Sequence, residues 1–239
     1  MRKYRMALLV SILALVAAIP CSATPVPVGE AFTLAQMIEG DLSITIGDKV
    51  FSDFLPGPGG GIAGGGSFSP QLMSQIIVQG YQDGPFLMGL KFTGAFSAVT
   101  FHDLGIDFSF ADIQFEYTVT ASSATISDVH LGYNGGRTGL AQTSITELVY
   151  NDAWDQPYIL SVSNPPPVFL DAVIFDDPVQ TVRVRKDIQL TAQWTESTGD
   201  ANANISSIDQ FYSQVPEPSS LIFLGSGLIA MGIWVRRKR

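Results

Sequence analysis

The chain has 239 residues, 46% of them hydrophobic and 15% charged, with 13 Lys plus Arg against 22 Asp plus Glu and a formal net charge of -9. Those proportions exclude a disordered acidic tail, a collagen-like repeat, a disulfide-stapled mini-protein and a basic nucleic-acid binder. One Cys, two His, 23 Gly and 14 Pro leave a globular, β-rich chain poor in the usual catalytic side chains.

Residues 1–23 have the three parts of a secretory signal. A basic start, Met1 to Arg5, leads into the apolar stretch Met6 to Ile19, and Cys21-Ser22-Ala23 places small residues where a signal peptidase reads them. Fourteen apolar residues span about 21 Å as a helix, short of a bilayer's roughly 30 Å, so cleavage after Ala23 is expected rather than anchoring. A lipidated Cys21 fits less well, because bacterial lipoprotein signals want a small residue where Pro20 stands. Cleavage removes the only Cys, and with it thiol catalysis, Cys-based zinc and disulfides.

Residues 24–214 read as one exported domain. Runs rich in β-branched and aromatic residues occur at Leu42 to Phe54, Ile76 to Gln79, Phe86 to Phe92, Gly105 to Thr120, Thr125 to Gly132, Ser144 to Tyr150, Tyr158 to Val162, Val168 to Phe175 and Thr181 to Trp194. In the fourth run the apolar parity changes from Ile106, Phe108 and Phe110 to Ile113, Phe115, Tyr117 and Val119, which predicts a bulge or tight turn near Ala111-Asp112. In the last run Val182, Val184, Ile188, Leu190, Ala192 and Trp194 share one face. Lys186 interrupts it, which predicts a bulge or a sheet edge. About nine one-sided strands imply an all-β fold, an antiparallel β-sandwich of jelly-roll or immunoglobulin-like kind, flanked by an N-terminal signal helix and a C-terminal transmembrane helix. No helical periodicity of useful length is visible between those ends.

Candidate chemistry in this body is sparse, and no cofactor is expected. Within the Gly-rich segment 57–66, Gly59 to Gly64 has the letters of a dinucleotide-binding turn, but no helix start follows, so it reads as a flexible loop. His102 and His130 have neither a serine elbow nor metal-ligand spacing near them. Carboxylates cluster loosely as Asp103, Asp107 and Asp112, as Asp152 and Asp155, and as Asp171, Asp176 and Asp177. A calcium loop or a glycosidase pair could draw on them, but a solvated acidic surface is the simpler reading. Tyr150, Trp154, Tyr158 and Trp194 could stack on sugars, with Trp194 expected in the core and Trp154 expected to pack. Asn204-Ile205-Ser206 has the letters of a glycosylation site.

The C-terminus mirrors the N-terminus. Pro216-Glu217-Pro218 precedes the apolar helix expected over 221–235, and Arg236, Arg237, Lys238 and Arg239 follow it. Fifteen residues give about 22 Å, a thin span of the inner membrane, and the basic tetrad keeps its end cytoplasmic. What lies between the two ends holds six basic and 21 acidic residues, a charge near -15 that is repelled by nucleic acid and anionic lipid.

Pro216-Glu217-Pro218, the Gly-containing apolar stretch and the basic cluster over 215–239 together resemble the PEP-CTERM sorting signal of Gram-negative bacteria. The resemblance implies recognition by an exosortase, a membrane cysteine transpeptidase-like enzyme that removes the tail at or near the Pro-Glu-Pro. Ile46 to Phe54, Gly89 to Phe92, Phe115 to Val119 and Ile208 to Gln214 are similar to patterns in exported proteins carrying this tail, although the Cys pair frequent near the start of such domains is missing here. The expected function is that of an exported, non-enzymatic protein of the cell surface or extracellular matrix, delivered by the Sec translocon, with exopolysaccharide association implied by the resemblance. The alternatives are a carbohydrate-binding or calcium-dependent adhesin-like module and, less in keeping with the composition, a secreted hydrolase.

Overall fold

A computed structural model describes residues 24–26, 29–57, 73–83 and 87–215. The expected signal helix with Ala23, the Gly-rich segment beyond Gly57 and the whole sorting segment from Pro216 onward lie outside the described residues. In chain order the strands are β1 (Thr24–Val26), β2 (Ala31–Thr33), β3 (Leu42–Ile46), β4 (Lys49–Pro56), β5 (Ile77–Asp83), β6 (Leu87–Val99), β7 (Phe108–Ala121), β8 (Thr125–Thr138), β9 (Leu140–Tyr150), β10 (Tyr158–Asn164), β11 (Leu170–Val179), β12 (Thr181–Gln193) and β13 (Asn202–Val215), with a helix α1 (Leu34–Glu39) after β2. One sheet has the order β1-β3-β4-β7-β12-β9-β10 and the other β11-β8-β13-β6-β5-β2. Among the described residues pairing is antiparallel except between β1 and β3, and from β10 onward each strand crosses to the opposite sheet. The result is the expected all-β sandwich. Among the described residues no helix is long and apolar enough to cross a membrane.

Local chemistry explains where elements start and stop. The run Leu42 to Phe54 is two strands, because Gly47 adopts φ +59°, a left-handed conformation glycine enters freely, and turns the chain so that Ile46 pairs with Lys49. Helix α1 follows a capping box: the Gln36 N–H donates to the Thr33 hydroxyl at 3.1 Å, and the Thr33 N–H donates to Gln36 Oε1 at 2.9 Å. That Thr-x-x-Gln signal was readable in a segment where periodicity was too short to show a helix.

Two expected irregularities are absent. Strand β7 pairs with β12 in one unbroken register from Thr120 opposite Thr181 to Phe108 opposite Gln193, so its phase never changes. Ser109 and Ala111 therefore point inward, and Phe108 and Phe110 lie on the outer face, with Phe108 45% exposed. A ladder fixed along its whole length outweighs the exposure of two phenylalanines, since apolar surface in water is common in folded chains. Strand β12 likewise has no bulge at Lys186. It lies between β7 and β9, away from either edge, and Lys186 points into the core. Bulges occur elsewhere, in β4 between Ser52 and Leu55, where Asp53 has φ +53°, and in β13 between Ile205 and Ser207.

The core fills the space between the sheets. Ile113, Phe115, Tyr117 and Val119 of β7 and Val182, Val184, Ile188 and Leu190 of β12 meet Leu90 and Phe92 of β6, Leu131 of β8 and Ile208 and Tyr212 of β13, all buried. Each such side chain contributes about 1.5–3 kcal/mol on burial. Strand β13, outside the nine runs read from composition, is an inner strand flanked by β6 and β8. Its approach to β6 is close. A Cβ built on Gly89 would stand 1.8 Å from the Gln210 carbonyl oxygen.

Candidate functional site

Within β12, neighbouring positions face opposite worlds. Lys186 points inward and stands directly across the ladder from Glu147 of β9. Gln210 of β13 reaches the same point from the opposing sheet. All three are fully buried. Lys186 Nζ donates to Glu147 Oε2 and to Gln210 Oε1, and Gln210 Nε2 donates to Glu147 Oε1 at 2.9 Å. The Phe92 ring lies 5.8 Å from Nζ, and a second buried polar link, between the hydroxyls of Tyr117 and Tyr212 at 2.9 Å, also joins the two sheets. Burial pushes the Glu147 carboxyl up, and the ammonium and amide beside it only partly offset that. Burial also pushes the Lys186 amine down, against the pull of Glu147. Both shifts favour uncharged forms.

Composition gave Lys186 away as an anomaly but left Glu147 and Gln210 unremarked. The readable signal was parity: Glu147 sits between Ile145 and Val149 on an apolar face, as Gln210 does between Ile208 and Tyr212.

The outer face of the same sheet is polar and half exposed. Rows across β7, β12 and β9 run Thr118-Arg183-Tyr150, Glu116-Arg185-Leu148, Gln114-Asp187-Thr146 and Asp112-Gln189-Ser144. Arg185 Nε donates to Glu116 Oε1 at 2.5 Å, and the guanidinium groups of Arg183 and Arg185 lie 5.4 and 5.7 Å from the Tyr150 ring centre. Asp112 is pushed up to about 6, first by burial and then by the Asp187 carboxyl beside it. A shallow hollow of about 210 Å³ at one end is lined by Thr118, Tyr150, Asp152 and Arg183, and another of about 290 Å³ at the far end by Phe108, Leu140, Gln142 and Thr191.

The residues singled out from the sequence do not assemble into one site. His102 shares a hydrogen bond of 2.7 Å with Asp107 Oδ1, and its backbone N–H donates to Asp200 Oδ1 at 2.9 Å. Its ring stacks on Trp194 at 3.7 Å between centres, so Trp194 is a half-buried partner beyond the end of β12 and not the core residue expected. His130 faces Asp128 at 3.2 Å. Trp154 does pack, against Tyr158 and Phe175 at 4.8 and 4.7 Å, beside a hollow of about 400 Å³ that Asp155, Asp176 and Asp177 also line. Asp171 accepts from the Ser161 N–H at 2.8 Å. Asp103 lies in the short turn His102–Leu104, and Asn204 to Ser206 lie within β13. Tyr150, Trp154, Tyr158 and Trp194 each have a ring or a cation beside them, so none is a bare platform. Among the described residues no three His, Cys, Asp or Glu side chains converge as a metal ion would need.

Similarity to solved structures is weak. A glycosylation-associated protein complex of Streptococcus agalactiae aligns at 10% identity and TM-score 0.26, covering 64% of this chain and 24% of that one, so this chain spans about a quarter of it. A carbohydrate-binding module in complex with β-1,4-galactotriose aligns at 12% identity and TM-score 0.24, covering 57% and 87%. A family 32 module from C. perfringens in complex with galactose aligns at 13% identity and TM-score 0.20, covering 49% and 93%. No match to a curated protein sequence is found. The decisive similarity lies at the C-terminus. Residues 214–239 match the PEP-CTERM protein-sorting motif, so this is an exported protein that carries a PEP-CTERM sorting signal.

Proposed function

We propose that this chain is a non-enzymatic β-sandwich protein of the cell surface or extracellular polysaccharide matrix. Sec translocation and signal peptidase cleavage after Ala23 deliver it. An exosortase then processes it at Pro216-Glu217-Pro218, while 221–235 and the basic residues Arg236, Arg237, Lys238 and Arg239 hold it in the inner membrane. The observation that carries this reading is the sorting motif at 214–239. The fold is compatible with it: β13 ends at Val215, so a cut at or after Pro216 leaves every described strand in place.

Mass spectrometry of the protein from its native host tests the proposal. The expected product lacks both ends and has a new C-terminus near Pro216. Membrane-bound protein retaining Arg239 would overturn the processing step.

A second reading, saccharide binding, has support in the outer face of the β7-β12-β9 sheet. Paired carboxylates and amides at Asp112, Gln114, Asp187 and Gln189 alternate there with hydroxyls, and Phe108 and Leu140 stand exposed at one end. Such mixed polar and apolar surfaces suit sugars. Glycan arrays probed with and without calcium discriminate the two: blank arrays under both conditions would eliminate the second.

A further inference from the structure

Lys186, Glu147 and Gln210 form a complete set of reacting groups sealed in the core. The amine and the amide touch, and the two oxygens of one carboxyl are divided between them: Oε2 against Lys186 Nζ, and Oε1 against Gln210 Nε2 at 2.9 Å. Both carboxyl oxygens are thereby engaged, one by each nitrogen. Here the carboxyl spans the nitrogen that would enter and the nitrogen that would leave. We propose that Lys186 and Gln210 are joined in the folded protein by an isopeptide bond that forms within the core, with Glu147 as its acid-base group.

The step balances without an external reagent. The Lys186 amine attacks Gln210 Cδ, the carbon bonded to the oxygen it already contacts. Glu147 takes a proton from Nζ through one oxygen and delivers a proton to Nε2 through the other. The Cδ–Nε2 bond breaks, ammonia leaves, and a secondary amide remains between Nζ and Cδ. Nothing is oxidised or reduced. An amine must be unprotonated to attack, and burial favours that form of Lys186 as it favours the acid form of Glu147. Fixing the groups in contact removes most of the entropic barrier that makes this exchange slow between free molecules.

The bond would tie β12 of one sheet to β13 of the other. Because β13 continues directly into the sorting segment, a pull on the C-terminus would meet a covalent tie at Gln210 before it could strip the strand from its sheet. That mechanical consequence rests on the processing reading above, whereas the bond does not.

Tryptic peptide mapping of the full chain after denaturation tests it. Trypsin has no site between Lys186 and Arg236, so an acylated Lys186 should resist cleavage and one peptide that begins at Lys186 and contains residue 210 should appear, closed into a ring and lighter by one ammonia than its linear sequence. Glu147→Gln keeps the size of the side chain and should reduce the linked fraction from nearly all to none in protein that still folds by circular dichroism. Cleavage after Lys186 in the wild type, with the peptide that begins at Asp187 recovered at its unmodified mass, would overturn the proposal, leaving a hydrogen-bonded core cluster. A link persisting in Glu147→Gln would overturn the role of Glu147. Neither result touches the processing of the ends.

Discussion

Arg185 and Lys186 are consecutive on β12, and each meets a glutamate across the ladder, yet they inhabit different media. Arg185 faces out to Glu116 on β7, on the partly exposed outer face and beside Tyr150. Lys186 faces in to Glu147 on β9, with no exposed surface on either side chain. Outside, water screens the charges and a guanidinium stays ionised, so the pair contributes little. Inside, desolvation outweighs attraction and pushes both groups toward neutrality. A strand's alternation alone thus turns one pair chemistry into a surface ornament and the other into a reactive core cluster.

The sharpest way to break this contrast is to remove the inner acid. Glu147→Ala leaves the Lys186 amine and the Gln210 amide with unmet hydrogen bonds in the core, and is expected to lose about 3–5 kcal/mol of stability. Urea denaturation of wild type and variant measures it. A loss below about 1 kcal/mol would mean that water reaches the cluster and that inside and outside are not distinct.

A backbone change at the same place should cost less. Gly89 lies where β6 presses on β13, and Gly89→Ala places a Cβ 1.8 Å from the Gln210 carbonyl oxygen. Strand β6 must shift or the β6-β13 ladder must open, at a cost of about 1–3 kcal/mol. Because the shift acts on Gln210 itself, amide exchange at Leu90 and Gln210 should rise together. Unchanged exchange at both would show that the ladder absorbs a side chain there.

How much of this was legible in the sequence follows from what each signal depends on. Two-residue alternation is local, so the body of β7, β8, β9 and β12 could be read directly, and the sandwich followed. Phase is not local. The inward face of β7 near Phe108 is set by its pairing with Gln193 of β12, and composition favoured the wrong side. Strand β13 escaped because Ser207 and Gln210 dilute its apolar face, though its place between β6 and β8 is among the most protected in the fold. Lys186 was visible as an exception, but only the fold brings Gln210 from the other sheet to complete it. The sorting segment was legible for the opposite reason: its meaning lies in a short contiguous order of residues read by another enzyme, and no tertiary contact is needed to see it.

Returning to the outer face, Asp112 offers a smaller test of opposite sign. Its folded pKa of about 6 lies above the ordinary 3.8, so the folded state holds more protons in that window and stability falls as pH rises through it. Above pH 6 the wild type carries the whole penalty. Asp112→Asn should therefore be more stable at pH 7 by on the order of 1 kcal/mol, a figure reduced by solvent screening at a half-exposed site, and equal to wild type near pH 4. Urea midpoints at the two pH values decide it. Equal stabilities at pH 7 would show that Asp187 and Asp112 do not compete.

Arg185→Ala should have the smallest effect. It removes the hydrogen bond to Glu116 and the contact with Tyr150, both in reach of solvent, and is expected to cost about 0.2–1 kcal/mol. The loss should shrink further at 1 M salt, where the screening length falls to about 3 Å. A salt-independent loss comparable to that of Glu147→Ala would mean that the outer pair is desolvated too. The two faces of β12 would then differ in geometry but not in medium, and burial could no longer be the reason that the inner pair is the reactive one.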